Sequence, residues 1–187
     1  PPNSAQTRPP EPRARAALGP IEQITSDPGF PGTLETSLVE AGIPALTIEI
    51  GGPRSYDRRK IPLFVEGGLN VLKHHGVIQG PTGRTAKDAG TFRGDAFHTV
   101  RATHGGYLEL LVDLTDTVAA GQKYALQRIS LGSLQKEYYS EVAGQVATLQ
   151  RDAIIEPGTR IVQILHDSPD PKCDGQGCAE TAAEYIE

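Results

Sequence analysis

One acid, Glu49, interrupts the apolar run from Ile43 to Ile50, and the pair Gly51-Gly52 follows it directly. Leu46, Ile48 and Ile50 bracket the carboxylate. A carboxyl group among such neighbours is desolvated, which raises its pKa and lets it trade protons near neutrality. The two glycines permit a sharp turn and a close approach of a ligand to the backbone. Glu49 is a candidate general base; the plainer reading is an acid at an exposed strand end.

The remaining reactive groups are sparse. Cys173 and Cys178 are the only cysteines, in Pro-Lys-Cys-Asp-Gly-Gln-Gly-Cys. The glycines let this loop close, so a local disulfide is feasible and would place the chain in an oxidising compartment. Free thiols in a cytosolic tail are the alternative. Two thiols without nearby histidines make a poor zinc site. His74 and His75 are adjacent on a predicted helix and diverge, so they fit a helix C-terminus better than a metal. His98, His104 and His166 form no zinc-ligand spacing with a carboxylate. No metal-ligand set is read in this chain.

The elements that must position Glu49 read as follows. Asp27 to Thr33 is a turn-rich loop, and Thr33 or Thr36 caps a short helix from Leu34 to Ala41, with Gly42 closing it. Ile43 to Ile50 has the continuous apolar character of a strand covered on both faces. A polar loop, Pro53 to Arg59, leads to a second helix, Ile61 to His75, with Leu63, Phe64, Leu69, Val71 and Leu72 as its apolar face. Helix, buried strand and helix make α/β grammar. After a glycine- and threonine-rich connector the period changes to two: Phe97 to Thr103, Tyr107 to Asp113, Tyr124 to Ile129, Glu141 to Leu149 and Arg160 to Leu165 read as strands. The predicted fold class is the last part of an α/β domain followed by a small all-β, barrel-like domain. The predicted segments are 1–19, a proline-rich linker or cleaved junction; 20–80, the α/β part; 81–96, a connector; 97–166, the β-rich domain; and 167–187, a tail with the cysteine pair.

Totals narrow the function. The chain has 187 residues and a net charge of −5, and lacks the clustered Lys and Arg of a nucleic-acid surface. No apolar run approaches a membrane span. Met is absent even at position 1, which with the proline-rich start reads as a processed or truncated product. Within the β-rich part, Val118 to Tyr124 aligns with Ile155 to Ile161 as a faint repeat of an apolar residue, a glycine turn and a strand. Two such halves resemble lipoyl and biotinyl carrier domains, with Lys136 near the position of the modified lysine. Gln135 and Glu137 do not match the carrier motifs, so Lys136 reads as a solvated loop lysine.

The stretch from Gly42 to Gly80 resembles a specific family. Gly-Ile-Pro-Ala-Leu-Thr-Ile-Glu-Ile-Gly-Gly, a helix containing Gly-Leu-Asn70-Val-Leu, and His75-Gly-Val-Ile-Gln-Gly80 look like the end of the catalytic domain in succinylglutamate desuccinylases and aspartoacylases. The likeness extends over most of residues 27 to 166. It implies a carboxypeptidase-like α/β fold, a following β domain, and zinc-dependent hydrolysis of an amide in an N-acyl amino acid or small peptide-like substrate. In the implied mechanism a zinc-bound water gives its proton to a glutamate, here Glu49, which returns it to the leaving amine. The family's His-x-x-Glu motif and distant His have no match here. The resemblance therefore implies that Zn2+ is held by an N-terminal segment of the same precursor, as a second associated chain or as a part missing through truncation. It also implies substrate contacts from Arg54, from Tyr138 of the Tyr138-Tyr139 pair, and from Thr33, with Phe30 as an apolar wall. A non-catalytic binding or assembly module derived from the family is the alternative. Secretion is favoured by the cysteine pair and the processed start, with a cytoplasmic location as the alternative.

Overall fold

Thr33 starts the first helix, α1 (Leu34–Glu40): its Oγ1 accepts from the Thr36 backbone N–H at 3.3 Å and so satisfies one of the unpaired donors of the first turn. At the other end Gly42 takes φ +77°, and Ile43 N–H donates to the Leu38 carbonyl at 2.9 Å, closing the helix. The computed structural model describes residues 23–25, 31–52 and 56–167. They include parts of two compact units with a boundary between Thr91 and Phe92.

In the first unit the expected strand Ile43 to Ile50 is not formed. A strand exists through the ladder it makes with neighbours, and no described residue pairs with this segment. Thr47 Oγ1 donates to Glu35 Oε2 at 2.6 Å and ties the segment to α1. The second helix, α2 (Ile61–His74), carries Pro62 in its first turn, where a missing N–H costs nothing. Its buried residues are Gly67 and Asn70, while Ile61, Phe64, Val65, Leu69 and Leu72 remain exposed. Asn70 fastens the following loop: its Nδ2 donates to the Arg84 carbonyl at 2.8 Å, and its Oδ1 accepts from Gly83 N–H at 2.7 Å. Glu66, one turn earlier, accepts from the Arg84 backbone N–H at 3.0 Å and from its guanidinium at 2.7 Å. Those bonds, the guanidinium's first, hold the Glu66 carboxyl below the ordinary range.

Near the unit boundary lie two three-residue strands, β1 (Gln23–Thr25) and β2 (Phe92–Gly94). The second unit then contains β3 (Ala96–Arg101), β4 (Gly106–Leu110), β5 (Thr117–Val118), β6 (Lys123–Arg128), β7 (Leu134–Tyr139), β8 (Gly144–Leu149), β9 (Ile154–Ile155) and β10 (Arg160–His166). They form two antiparallel four-stranded sheets, ordered β3-β10-β8-β5 and β7-β6-β4-β9. Replacing β3, β4, β5 and β6 by β7, β8, β9 and β10 converts one order into the other, so the faint sequence repeat is a repeat of topology. Its matched positions are equivalent in burial: Val118 and Ile155 are buried, as are Tyr124 and Ile161. Gly121 and Gly158 take φ +80° and +85° in the connecting turns, a region open to glycine at no steric cost. Each turn carries the chain from one sheet to the other.

Both sheets feed one core, built from Ala125, Tyr138, Val146, Ile155, Ile161, Val162 and Ile164 among others. The two sheets around this core make the small all-β unit that the sequence predicts, and no pairing among the described strands joins them into a closed barrel. Lys136 is also placed differently: it lies within β7, opposite Gln127, whereas the hairpin tip is the turn around Gly132. The carrier-type position is absent there.

Candidate functional site

Glu49 lies just before Gly51, whose φ is +85°. Its side chain is exposed, and among the described residues it makes no hydrogen bond or ion pair. The desolvation inferred from its apolar neighbours is therefore not seen among the described residues: Ile48 is half-buried but Ile50 is exposed.

Thr33 belongs to the same unit, but its hydroxyl is engaged as the cap of α1 and donates to Thr36 Oγ1 at 2.9 Å. The link between these two positions runs through α1, by way of Glu35 and Thr47, two residues before Glu49. Arg54, Cys173, Cys178 and Phe30 lie outside the described residues, as do residues 1–19 and 168–187 of the two end segments.

Tyr138 is turned into the core of the β unit. It stands opposite Ala125, which is also buried, and its hydroxyl donates to Gln127 Oε1 at 2.5 Å. Gln127 is fully buried, and its Nε2 donates to the His104 carbonyl at 2.6 Å. The Thr103 backbone N–H completes the set by donating to the Tyr138 oxygen at 3.4 Å. This network secures the β3–β4 turn and holds the Tyr138 hydroxyl inside the unit. Tyr139 is the solvent-facing member of the pair. Its hydroxyl donates to Glu137 Oε2 at 2.7 Å, Lys123 Nζ lies 2.5 Å from Glu137 Oε1, and Lys123 sits 5.5 Å from the Tyr139 ring centroid. The Lys123 hydrogen bond leads in holding the Glu137 carboxyl below its usual range, and the same bond raises Lys123. Alternation of opposite charges at 123 and 137 was the available signal for this surface cluster, but it required the β6–β7 register to be known.

The histidines are dispersed. His74 and His75 contact each other edge-on, with ring centroids 5.1 Å apart. His98 Nε2 lies 4.0 Å from Glu141, His104 Nδ1 lies 2.8 Å from Thr103 Oγ1, and His166 Nδ1 lies 2.9 Å from the Asp167 carbonyl. Among the described residues no three His, Cys, Asp or Glu side chains converge to hold a metal ion. The described residues therefore do not form a zinc centre by themselves. No helix among the described residues is long and apolar enough to cross a membrane.

No protein-family model matches the sequence, and no curated protein matches it. Solved structures do. The ectoine utilization protein EutE (DoeB) from Ruegeria pomeroyi matches 82% of this chain and 49% of its own length, with 24% identity and a TM-score of 0.70. A succinylglutamate desuccinylase/aspartoacylase from Rhodobacter sphaeroides matches 84% of this chain and 49% of its own, with 23% identity and a TM-score of 0.69. A succinylglutamate desuccinylase from Silicibacter sp. gives 82%, 48%, 22% and 0.68 for the same quantities. The chain spans about half the length of each of these proteins. What it shares with them is the fold of the C-terminal part of the succinylglutamate desuccinylase/aspartoacylase proteins.

Proposed function

We propose that this chain is the C-terminal part of a zinc-dependent amide hydrolase acting on an N-acyl amino acid or a small peptide-like substrate. In this reading the zinc ligands come from an N-terminal segment of the same precursor, joined or associated as a second chain. Glu49 carries the proton. Its carboxylate takes a proton from water as the water oxygen bonds to the amide carbonyl carbon; it then gives that proton to the amine nitrogen as the C–N bond breaks. Arg54, two residues beyond Gly52, is the proposed partner for a substrate carboxylate, because a guanidinium pairs with one bidentately. Thr33, whose hydroxyl caps α1, and Tyr138 are further proposed substrate contacts.

The observation that carries the reading is Glu49 itself, exposed and unengaged before a left-handed glycine, in a chain whose fold matches half of several such proteins. The test is Glu49→Gln in the full polypeptide purified from its source, with zinc measured by elemental analysis. Turnover is expected to fall by about 10²–10⁴-fold with metal content unchanged, the usual range for losing a general acid–base group. Undiminished turnover removes Glu49 from the reaction.

A second reading, a non-catalytic assembly module, is favoured by the β6–β7 hairpin tip. Leu131 there is 87% exposed, and Ile129 and Leu134 are exposed beside it. It predicts a tight complex that forms regardless of metal and is weakened by Leu131→Ser.

A further inference from the structure

We propose that the outward face of the sheet β7-β6-β4-β9 packs against the same face of a second copy of this chain, with the strands of the two copies crossing at about a right angle. Three of its strands set their outward side chains in rows. Tyr107, Arg128 and Leu134 share the first row, and Glu109, Leu126 and Glu137 the second. Ala125, Gln127 and Tyr138 are buried, and alternation then puts Leu126 and Glu137 on the outer side. The third row is Leu111, Lys123 and Tyr139. Lys123 stands opposite Tyr139, and the Leu111 N–H donates to the carbonyl of Tyr124, next to Lys123. The corner residues Tyr107, Leu111, Leu134 and Tyr139 are equally open, between 46% and 51% exposed.

This face maps onto itself when turned half a turn about Leu126. Tyr107 then exchanges with Tyr139, Leu111 with Leu134, Glu109 with Glu137, and Arg128 with Lys123. Its charges form a cross, with the cations along β6 and the acids on the strands to either side. Each cation is also paired within the copy: Arg128 Nε lies 3.0 Å from Glu109 Oε2, and Lys123 Nζ 2.5 Å from Glu137 Oε1. The four charges cancel in a chain whose net charge is −5, so this face is spared the self-repulsion that keeps copies apart. Laid together with strands aligned, two such faces set cation over cation and acid over acid. A quarter turn instead sets every cation over an acid and Leu126 over its counterpart, with the apolar corners around them. Orthogonal crossing is one of the standard ways in which sheets pack. The face therefore complements itself, as an isologous contact requires. A partner charged with one sign would leave two of the four charges facing their own kind. The reaction proposed for the chain plays no part in this pairing.

The experiment is analytical ultracentrifugation of the full polypeptide. Three strands make a small contact, so a dimer with a Kd of about 1–100 μM is expected. A monomer at about 1 mM overturns the proposal; if Leu126→Cys then resists a thiol reagent at that position, the rest of the polypeptide covers the face instead. Leu126→Asp sets two carboxylates together at the centre and is expected to raise the Kd at least about 100-fold, with unchanged far-UV circular dichroism. An unchanged Kd in that variant overturns this face as the contact. Should Leu126→Asp fail to fold, a charge exchange decides. Glu109→Arg, Arg128→Glu, Lys123→Glu and Glu137→Lys together preserve both internal pairs and the self-match of the cross. This variant is expected to dimerise with itself, and to form mixed dimers with the unaltered chain at least about tenfold below the statistical share, since the quarter turn then brings like charges together. Statistical mixing overturns the charge match, and a preference for mixed dimers overturns the crossing in favour of aligned strands.

Discussion

The β unit and the helical unit put the same kinds of side chain to different ends. In the β unit Ile161, Val162, Ile164 and Leu165 of a single strand are all buried, and the backbone of that strand is paired on both sides, by β3 and β8. In the helical unit Leu69 and Leu72 lie on a well-formed helix yet stay 42% and 40% exposed, and the apolar segment Ile43 to Ile50 makes no ladder among the described residues. The contrast shows that apolar pattern specifies an element and its buried face, while burial itself depends on what arrives to cover that face.

Deleting the same kind of side chain in each unit exposes this difference most strongly. Ile164→Ala is expected to destabilise the β unit by about 2–5 kcal/mol in denaturant unfolding, as buried Ile or Leu truncations do. Leu69→Ala in the isolated chain is expected to cost less than about 1 kcal/mol, like other surface changes. Equal costs in the isolated chain would erase the distinction. Tyr138→Phe tests the β unit's polar network: Gln127 Oε1 would lose its buried donor, at about 1–3 kcal/mol, and the β3–β4 turn should show faster amide exchange at Thr103.

Two smaller effects probe the helical unit. Thr33→Ala removes the cap of α1 and is expected to cost about 1 kcal/mol, read as lost helicity and faster exchange at Thr36. Acidification releases the loop held by Glu66. Its carboxyl is depressed from the ordinary 4.5 by Arg84, so the stabilisation is fully present above that value and is lost as pH falls through the lowered one. The amide signals of Gly83 and Arg84 should follow that titration; indifference to it would mean that Asn70 alone holds the loop.

Much of this architecture is legible in the sequence where pattern decides it. The strands β3, β4, β6, β8 and β10 stand out as short runs rich in apolar residues between turns, and both helices carry their start and stop residues, Thr33 and Gly42, Pro62 and Gly76. The strand β7 is hidden because Gln135, Lys136 and Glu137 are polar edge residues, and alternation fails there. The two-residue strands β5 and β9 are visible only through their shared glycine turns. For the tyrosine pair, neighbouring residues on a strand point to opposite faces, and sequence alone does not say which faces inward. The pairing of Tyr138 with buried Ala125 decides it. The environment of Glu49 was the least legible quantity, because apolar neighbours in sequence dry a carboxylate only when other elements close over them.

The pairing of β3 with β10 sets an order on how the β unit can be made. Arg101 meets Arg160 and Ala96 meets His166, so the first long strand of the unit has only its last strand for a neighbour in its sheet. On a ribosome β3 emerges early and waits, unpaired, until the chain has been synthesised through His166. Completion is then one late, long-range closure of the kind that slows folding. Any truncation before β10 would release a nascent chain with an orphaned edge, prone to capture by chaperones or by a neighbouring copy.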